Sequence, residues 1–287
     1  MYVLFDVGAT KTRVGIADII GGILDSVIIP TPSDYHAGLA AIENAVSCRL
    51  NDFDTARLSR AGSIDAVVGG VAGVFDRNHE ALLGGGNIKN WAGKPIKKML
   101  TDMFRAPVIL ENDAALAGLG EAVVGAGKSY DIVGYITVST GIGGARITRK
   151  TIDAHVFGFE PGHQIIEMNR SLCSVCMHKT IESHIGGRGL EKHYGRKGEE
   201  MHDAAAWEDI TRSLAIGLVN TIVHWSPEIL VLGGSMMQSI SLERLRECIK
   251  ERLTVYPELP LIEGAALGDL GGLEGALHIA RMNHNTN

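Results

Sequence analysis

Apolar and polar positions in the first half of the chain fall into strand-like runs, glycine-rich turns and stretches with helical spacing. The strand-like runs are apolar and rich in β-branched residues: YVLFDV, RVGIAD, GGILDSVIIP, IDAVVGGVAG and PVIL. Apolar residues recur at helical spacing in three other segments: YHAGLAAIENAVSCRL, KPIKKMLTDMF and NDAALAGLGEAVV. Three strands followed by alternating helices and strands predict a mixed α/β sheet.

The same order begins again near the middle of the chain. DIVGYITVSTGIGGARIT has the pattern strand, glycine turn, strand, and aligning Asp6 with Thr137 matches one glycine turn to the other. A buried strand in EILVLGG and long helical stretches follow, and GDLGGLEGALHIARM predicts a last helix that begins in glycine. We therefore expect two similar α/β lobes with a cleft between them, a preferred place for a ligand.

Composition narrows the function more than the fold. The net charge of −6 and the pI near 6.0 argue against a protein that binds nucleic acid or a membrane surface. No apolar run approaches the roughly 18 residues of a membrane-spanning helix, and the N-terminus has no signal-peptide pattern. The four cysteines do not resemble a secreted disulfide framework. We expect a cytoplasmic protein.

Two glycine turns are candidate phosphate-binding loops. Asp6-Val7-Gly8-Ala9-Thr10-Lys11-Thr12 offers backbone N–H groups and hydroxyls for a polyphosphate, and Asp6 is placed to orient a hydrated Mg²⁺. The alternative is an ordinary β-hairpin. The second turn, Ser139-Thr140-Gly141-Ile142-Gly143-Gly144, lies at the matching point of the second lobe. The pair is more specific than either turn, since both could hold one nucleotide.

Polar residues near strand ends are candidates for catalysis and for binding of hydroxyl groups. Asp113 follows a strand and opens a helix, where it could be an N-cap, a general base, or both. The glycine-rich segments GVAGVFD and GGGNIKNW, the segment FEPGH and Glu182 contribute further polar groups. Carboxylates, amides and an imidazole are suited to the hydroxyls of a sugar. Gly233-Gly234-Ser235 predicts either a backbone approach to a flat ligand such as adenine or a helix N-terminus.

The segment AVVGAGKS satisfies a loose form of the Walker A motif. That loop requires a strand before it and a helix after it, whereas here a helix precedes and a strand follows. We therefore interpret Lys128 as a solvated loop lysine.

In this order the motifs resemble those of the ROK family (repressors, open reading frames, sugar kinases), which belongs to the actin-like, ribonuclease H-like superfamily. The likeness runs from end to end: DVGATKT, END, STGIGG, EPGH, VLGGS and LGDLGGLEGA. The resemblance implies an ATP- and Mg²⁺-dependent sugar kinase, glucokinase-like, with two lobes of the actin type. It also implies a homodimer.

The resemblance assigns roles by position. Asp113 matches the base that removes the proton of the sugar hydroxyl. The positions that match sugar-binding residues are Gly73, Asp76, Asn87, Asn112, Asp113, Glu160, His163 and Glu182. The positions that match the nucleotide-binding loops are Asp6, Gly8, Thr10, Lys11, Thr140, Gly141, Gly143, Gly233 and Gly234.

Three departures from the family stand out. Ala9 and Ala145 occupy positions where the family usually has Gly, and we expect the methyl groups to be tolerated if φ is negative. Val74 replaces the family's Pro after Ala-Gly, which predicts a looser sugar loop. In members that bind zinc, a His precedes C-x-C-G-x-x-G-C-x-E. Here Cys173 matches the first cysteine, and the other two are replaced.

A rearranged zinc site remains open, because His163, Cys173, Cys176 and His178 offer four N or S donors. Their spacing fits no common zinc module. We favour a metal-free loop of reduced cysteines in which packing alone orients His163.

From these matches we expect an N-terminal lobe at residues 1–114, joined by the last helix at 271–283, and a C-terminal lobe at 115–270. Alternatives are a kinase specific for N-acetylmannosamine or N-acetylglucosamine, a non-catalytic sugar-sensing protein or repressor, and acetate-kinase-like or pure ATPase chemistry. Repressors of the family carry an additional N-terminal DNA-binding domain, for which the acidic sequence beginning directly with the first strand leaves no room.

Overall fold

The computed structural model describes residues 1–18, 20–52, 63–84, 88–167, 179–201 and 203–284. It divides into two compact units. The first comprises Met1–Val124, Ala154–Gly158 and Asp269–Asn287, and the second comprises Gly125–Asp153 and Phe159–Gly268. The helix that begins at Asp113 packs wholly with the first unit. The boundary expected at residue 114 stays a prediction.

The elements are numbered in chain order. The strands are β1 Tyr2–Val7, β2 Lys11–Asp18, β3 Gly22–Pro30, β4 Ala66–Val71, β5 Val74–Phe75, β6 Leu82–Gly84, β7 Val108–Asn112, β8 Ile132–Val138, β9 Ile142–Thr148, β10 Thr151–Ile152, β11 Ile165–Glu167, β12 Lys179–Thr180, β13 Ile229–Gly233 and β14 Leu261–Gly264. The helices are α1 Tyr35–Asp52, α2 Ile96–Phe104, α3 Asp113–Val123, α4 Ile181–Ile185, α5 Gly187–Tyr194, α6 Ala204–Trp225, α7 Leu242–Arg252 and α8 Gly271–His284.

Each unit contains one five-stranded mixed sheet, and the two sheets repeat one another. The first has the order β3-β2-β1-β4-β7 and the second the order β10-β9-β8-β13-β14. In both, the first three strands are antiparallel and the last three parallel. The prediction of two similar mixed α/β lobes is confirmed.

Strand β1 shows how the first sheet is covered on both faces. Val3, Phe5 and Val7 share a core with α1 and α2, whereas Tyr2 and Leu4 share another with α3 and α8. Successive side chains of a strand point to opposite faces. Asp6 therefore lies on the face of α3 and α8, the only carboxylate in a strand that is otherwise apolar and buried throughout.

The second unit has one continuous core. Side chains of β8, β9 and β13 pack there with the long helix α6 and with α7, for example Ile136, Leu214 and Leu245. Cys248 lies buried in this core as a free thiol. In the part of the chain that the structure describes, no helix is long and apolar enough to cross a membrane.

The structure accommodates two of the departures from the family, Ala9 and Ala145, and places the third, Val74, at the start of a strand. Neither Ala9 nor Ala145 is among the described non-glycine residues with positive φ, so the added methyl groups are tolerated as expected. Val74 begins β5, which pairs with β6. Gly73 before it has φ +133°, a conformation that favours glycine.

Candidate active site

The first glycine turn is a hairpin that connects β1 to β2. The N–H of Gly8 donates to the carbonyl of Lys11 at 3.0 Å, while Thr10 and Lys11 lie exposed at its tip. Thr31, just after β3, supports the hairpin from outside. Its hydroxyl donates to the Gly8 carbonyl at 2.9 Å, and its N–H donates to the Thr10 carbonyl at 3.0 Å.

Asp6 lies at the base of this hairpin, directly opposite Arg13 in the antiparallel register. The Arg13 guanidinium donates from Nη1 to Asp6 Oδ2 at 3.2 Å. Its Nε donates to Asp269 Oδ1 at 2.9 Å, and its Nη2 also contacts that oxygen. One guanidinium therefore connects strand β1 to the segment that leads into α8.

Two glycines bring further groups close to Asp6. Gly70 of β4 is its register partner on the other side, and a Cβ on Gly70 would lie 3.1 Å from the Asp113 Cα. A Cβ on Gly272 of α8 would lie 2.7 Å from the Asp6 Cγ. Without side chains at these positions, Asp113 and the first turn of α8 come close to Asp6.

Asn112, not Asp113, is the N-cap of α3. The Asn112 Oδ1 accepts the N–H of Ala115 at 3.1 Å, and the Asn112 Nδ2 donates to the Gly73 carbonyl at 3.1 Å. Of the two readings of Asp113 from the sequence, the capping one is wrong, since Asp113 is the first residue within the helix. Its half-buried side chain lies at the N-terminal end of the helix, the positive end of the helix dipole.

The electrostatics of Asp6 are unusual. Burial and, after it, the charge of Asp113 raise the pKa of Asp6, while Arg13 lowers it, and together these effects place the pKa at about 7. Asp269 also raises it more weakly, whereas the pKa of Asp269 itself is lowered by its hydrogen bond to Arg13. The Asp6 Oδ1 atom is buried and has no hydrogen-bond partner among the described residues. A buried carboxylate oxygen of this kind fits a hydrated cation such as Mg²⁺.

The second glycine turn connects β8 to β9. Three residues separate its last paired residues, Val138 and Ile142, whereas four separate Val7 and Thr12 in the first turn. The N–H of Ser139 donates to the carbonyl of Gly141 at 2.9 Å. Helix α5 supports it, because the N–H groups of Gly187 and Arg188 donate to the carbonyls of Ser139 and Thr140 at 2.8 and 3.2 Å. These two bonds join backbone groups, whereas the first hairpin is supported by both the N–H and the hydroxyl of Thr31.

At the exit of the second hairpin, the N–H of Ile142 donates to Glu182 Oε2 at 2.8 Å. Glu182 therefore contacts the hairpin as well as lying at a predicted sugar position. Gly143 pairs with Thr137, so these two occupy the places of Arg13 and Asp6 in the repeat.

The two glycines at the end of β13 allow neighbouring atoms to pack close to the backbone. A Cβ on Gly233 would lie 2.5 Å from the Tyr135 hydroxyl, and a Cβ on Gly234 would lie 2.2 Å from the Val138 carbonyl. Gly234 has φ +93° and precedes a single 3₁₀ segment, Ser235–Ser239. The helix N-terminus predicted as an alternative is thus one short 3₁₀ segment.

Other predicted sugar positions fall in both units. In the first, Asp76 Oδ1 accepts the N–H groups of Asn78 and Glu80 at 3.1 and 2.9 Å and so stabilises its own turn. In the second, Glu160 lies 3.9 Å from His163. Partial burial raises the pKa of Glu160, as does Glu182, while His163 lowers it. Packing does not orient His163 as expected, because 67% of its side chain is exposed.

Four predicted residues lie outside the described parts of the chain: Asn87, Cys173, Cys176 and His178. The zinc hypothesis therefore stays a prediction. Within the described ranges no group of three His, Cys, Asp or Glu residues could hold a metal ion. The Walker-like segment has the reversed context expected, between α3 and β8, and Lys128 is exposed.

Sequence reasoning gave no role to Arg13, Gly70, Asp269 or Gly272. Arg13 could have been found from the hairpin register, since the residue opposite Asp6 follows from the turn length. The other three could not, because they come close to Asp6 through the packing of separate segments.

The sequence profile of the ROK family matches residues 2–283. A glucokinase from Streptomyces coelicolor is 27% identical, covering 96% of each chain. The crystal structure of a ROK hexokinase from Thermus thermophilus has a TM-score of 0.82 and 28% identity, covering 100% of this chain and 99% of the other. A ROK glucokinase from Streptomyces griseus in complex with glucose and AMPPNP has a TM-score of 0.81 and 25% identity, covering 98% and 99%.

Proposed function

The chain belongs to the ROK family, and we propose that it is an ATP-dependent kinase that phosphorylates a hydroxyl of a hexose or an N-acetylhexosamine. The observation that carries the proposal is the group of carboxylates at the first hairpin, where Asp6 and Asp113 lie close together beneath a glycine turn. The similarity to a glucokinase that binds glucose and AMPPNP supports it.

Phosphoryl transfer requires mainly positioning and neutralisation of charge. We assign the phosphates of ATP to the backbone N–H groups and hydroxyls of the two hairpins. Asp6 would orient hydrated Mg²⁺, which supplies charge neutralisation when bound. We assign a flat ligand such as adenine to the backbone near Gly233 and Gly234 because VLGGS resembles the family motif at that place.

Asp113 is the proposed general base. It is the first residue of α3, and Asn112 before it is the N-cap. The helix N-terminus favours the ionised form of a carboxylate, which is the form that accepts a proton. Asp113 would remove the proton of the sugar hydroxyl as the oxygen attacks the terminal phosphorus of ATP.

The sugar is assigned to the remaining polar positions. The candidates are Gly73, Asp76, Asn87, Asn112, Glu160, His163 and Glu182. Asn112 has an N–H that its two hydrogen bonds do not use, and Asp76 keeps Oδ2 beyond its turn contacts through Oδ1. The exposed side chain of His163 beside Glu160 is accessible to a ligand. The identity of the sugar, the homodimer and the cytoplasmic location stay predictions.

A coupled assay of ADP release tests the proposal. Wild-type protein with ATP and Mg²⁺ is presented separately with glucose, mannose, fructose, N-acetylglucosamine and N-acetylmannosamine. We expect ADP release that depends on at least one sugar. Release that is independent of sugar would indicate ATPase chemistry, and no release together with a gel shift of DNA would indicate a regulator. Either result would overturn the proposal.

A further inference from the structure

Arg13 contacts two carboxylates, Asp6 and Asp269, and the proposed reaction gives it no role. It lies directly opposite Asp6 across the β1–β2 ladder, and its side chain is largely buried, with 21% exposed. Its guanidinium uses Nη1 for Asp6, and Nε and Nη2 for Asp269. Burial lowers its pKa, but the charges of Asp6 and Asp269 outweigh that effect and raise it. Arg13 is thus a fixed cation between two carboxylates.

The two carboxylate oxygens of Asp6 have different environments. Oδ2 accepts from Arg13, whereas Oδ1 is buried without a hydrogen-bond partner among the described residues. A Cβ on Gly272 would lie 2.7 Å from Oδ2, so the first turn of α8 also restricts that side of the carboxylate. The Asp6 side chain is therefore held at Oδ2, while Oδ1 has no hydrogen-bond contact that would hold it among the described residues.

Asp269 holds the guanidinium of Arg13 on the side away from Asp6. Asp269 belongs to the 3₁₀ segment Gly268–Leu270, which leads directly into α8. The contact to Asp269 uses two nitrogens of the planar guanidinium, which fixes the orientation of the fork. The N–H that reaches Asp6 consequently has a defined direction.

On the basis of the proposed function, we propose that Arg13 is a positioning residue: it holds Asp6 by Oδ2, with Asp269 as its anchor, and so reserves Asp6 Oδ1 for the hydrated magnesium ion of a bound nucleotide. Arg13 itself touches neither the sugar nor the phosphates in this account. Its effect should appear in the magnesium dependence of nucleotide binding.

The test is calorimetric binding of AMPPNP with and without Mg²⁺ to wild type, Arg13→Met, Arg13→Lys and Asp269→Asn. In the wild type, Mg²⁺ should tighten AMPPNP binding. Arg13→Met should reduce that gain by roughly tenfold or more, since a hydrogen bond to a charged group is lost. Arg13→Lys should restore part of the gain, because an ammonium keeps the charge without the fork.

Asp269→Asn tests the anchor, because it leaves the side chains of Asp6 and Arg13 in place and weakens the contact that orients the guanidinium; it also removes one of the charges that raise the pKa of Asp6. It should lower the magnesium gain by less than Arg13→Met does. Thermal unfolding and circular dichroism monitor the fold, and a loss of folding in Arg13→Met leaves Arg13→Lys and Asp269→Asn to decide. AMPPNP binding without Mg²⁺, and sugar binding, should change by less than about twofold.

The outcomes are distinguishable. The role of Arg13 would be overturned if the tightening of AMPPNP binding by Mg²⁺ in Arg13→Met stayed within twofold of that in the wild type. If Arg13→Met is unfolded, the same result in both Arg13→Lys and Asp269→Asn would overturn it. Either result would stand even if the wild type is a sugar kinase. A wild type that binds no AMPPNP would overturn the proposed function and this inference together. A reduced magnesium gain with intact sugar binding supports both.

Discussion

The two glycine hairpins occupy the same place in two repeated sheets but contain different chemistry. At the base of the first, Asp6 faces Arg13 across the ladder, and at the base of the second, Thr137 faces Gly143. The central neighbour of each pair is a glycine, Gly70 in one sheet and Gly233 in the other. The backbone arrangement is repeated, whereas the charged pair Asp6 and Arg13 of the first sheet has uncharged counterparts in the second.

The supports of the hairpins differ in the same sense. Thr31 supports the first hairpin with its hydroxyl and N–H, whereas the second is supported by N–H groups at the start of α5. A repeated architecture thus carries backbone donors in both units, while Asp6 and Asp113, the carboxylates to which we assign roles in phosphoryl transfer, lie in one. Substitutions in the two units can test whether the two hairpins differ in function as they differ in chemistry.

Among the substitutions that compare the two units, the largest effect is expected for Gly272→Ala in the first. The new methyl would lie 2.7 Å from the Asp6 Cγ, so the carboxylate must move. A displacement on the order of 1 Å can lower activity by about 100-fold. The assay is sugar-dependent ADP release. Gly264→Ala in β14 is the control, because its nearest contact would be Leu242 at 3.7 Å, and equal activity of the two variants would contradict the account.

Asp6→Asn should change how stability depends on pH. The folded pKa of Asp6 is about 7 against 3.8 for an ordinary Asp, so the folded state binds its proton more tightly. Stability of the wild type therefore falls as pH rises from about 4 to about 7. Asp6→Asn removes this loss and should raise the free energy of unfolding at pH 8 by on the order of 2 kcal/mol relative to its effect at pH 4.

Urea unfolding at the two pH values without Mg²⁺ measures this difference. Thr137→Val, at the matching place of the second sheet, should show no pH-dependent gain. An Asp6→Asn variant whose gain is the same at pH 4 and pH 8 would contradict the raised pKa.

Gly187→Pro tests the support of the second hairpin. Proline is tolerated at the first position of a helix, so α5 should persist while the N–H to the Ser139 carbonyl is lost. We expect the KM for ATP to rise about tenfold, as for the loss of one buried hydrogen bond with added crowding. Gly187→Ala keeps the N–H and adds a Cβ at 3.1 Å from the same carbonyl. If the two variants had equal KM values, the N–H would not matter.

The smallest effect is expected for Thr31→Val, which removes the hydroxyl that supports the first hairpin. The loss of its bond to the Gly8 carbonyl should cost about 1 kcal/mol of stability and raise the KM for ATP a few-fold. Thr31→Ser retains the hydroxyl and should behave like the wild type. A serine variant as impaired as the valine variant would mean that packing, and not the hydrogen bond, supports the hairpin.

Much of the fold was predictable because its signals are local. Apolar runs and glycine turns indicated every strand of the first sheet and β8, β9 and β13 of the second, but not β10 or β14, and the order of motifs indicated the family. The capping of α3 was not, because Asn112 and Asp113 are both suitable caps and only the backbone at the strand end decides between them. The short pairs β5–β6 and β11–β12 also escaped prediction, since strands of two or three residues carry no periodicity.

Site residues that lie within one sequence motif could be predicted. The proximity of residues from separate segments could not, because it depends on how those segments pack. Asp6 and Asp113 came from separate motifs, and only the empty space at Gly70 explains why they come close. The raised pKa of Asp6 depends on the burial of its side chain, which α8 helps to cover, and no local sequence pattern indicates this. The link from Arg13 to Asp269 joins segments that are far apart in the sequence.

The most direct test of the account is Asp113→Asn, measured for turnover and for sugar binding on the same preparation. The account predicts that kcat for ADP release falls by about 100- to 10,000-fold, as for the loss of a general base. The calorimetric affinity for the sugar should stay within a few-fold of the wild type, because asparagine keeps the size and polarity of the side chain. Turnover within tenfold of the wild type would contradict the account.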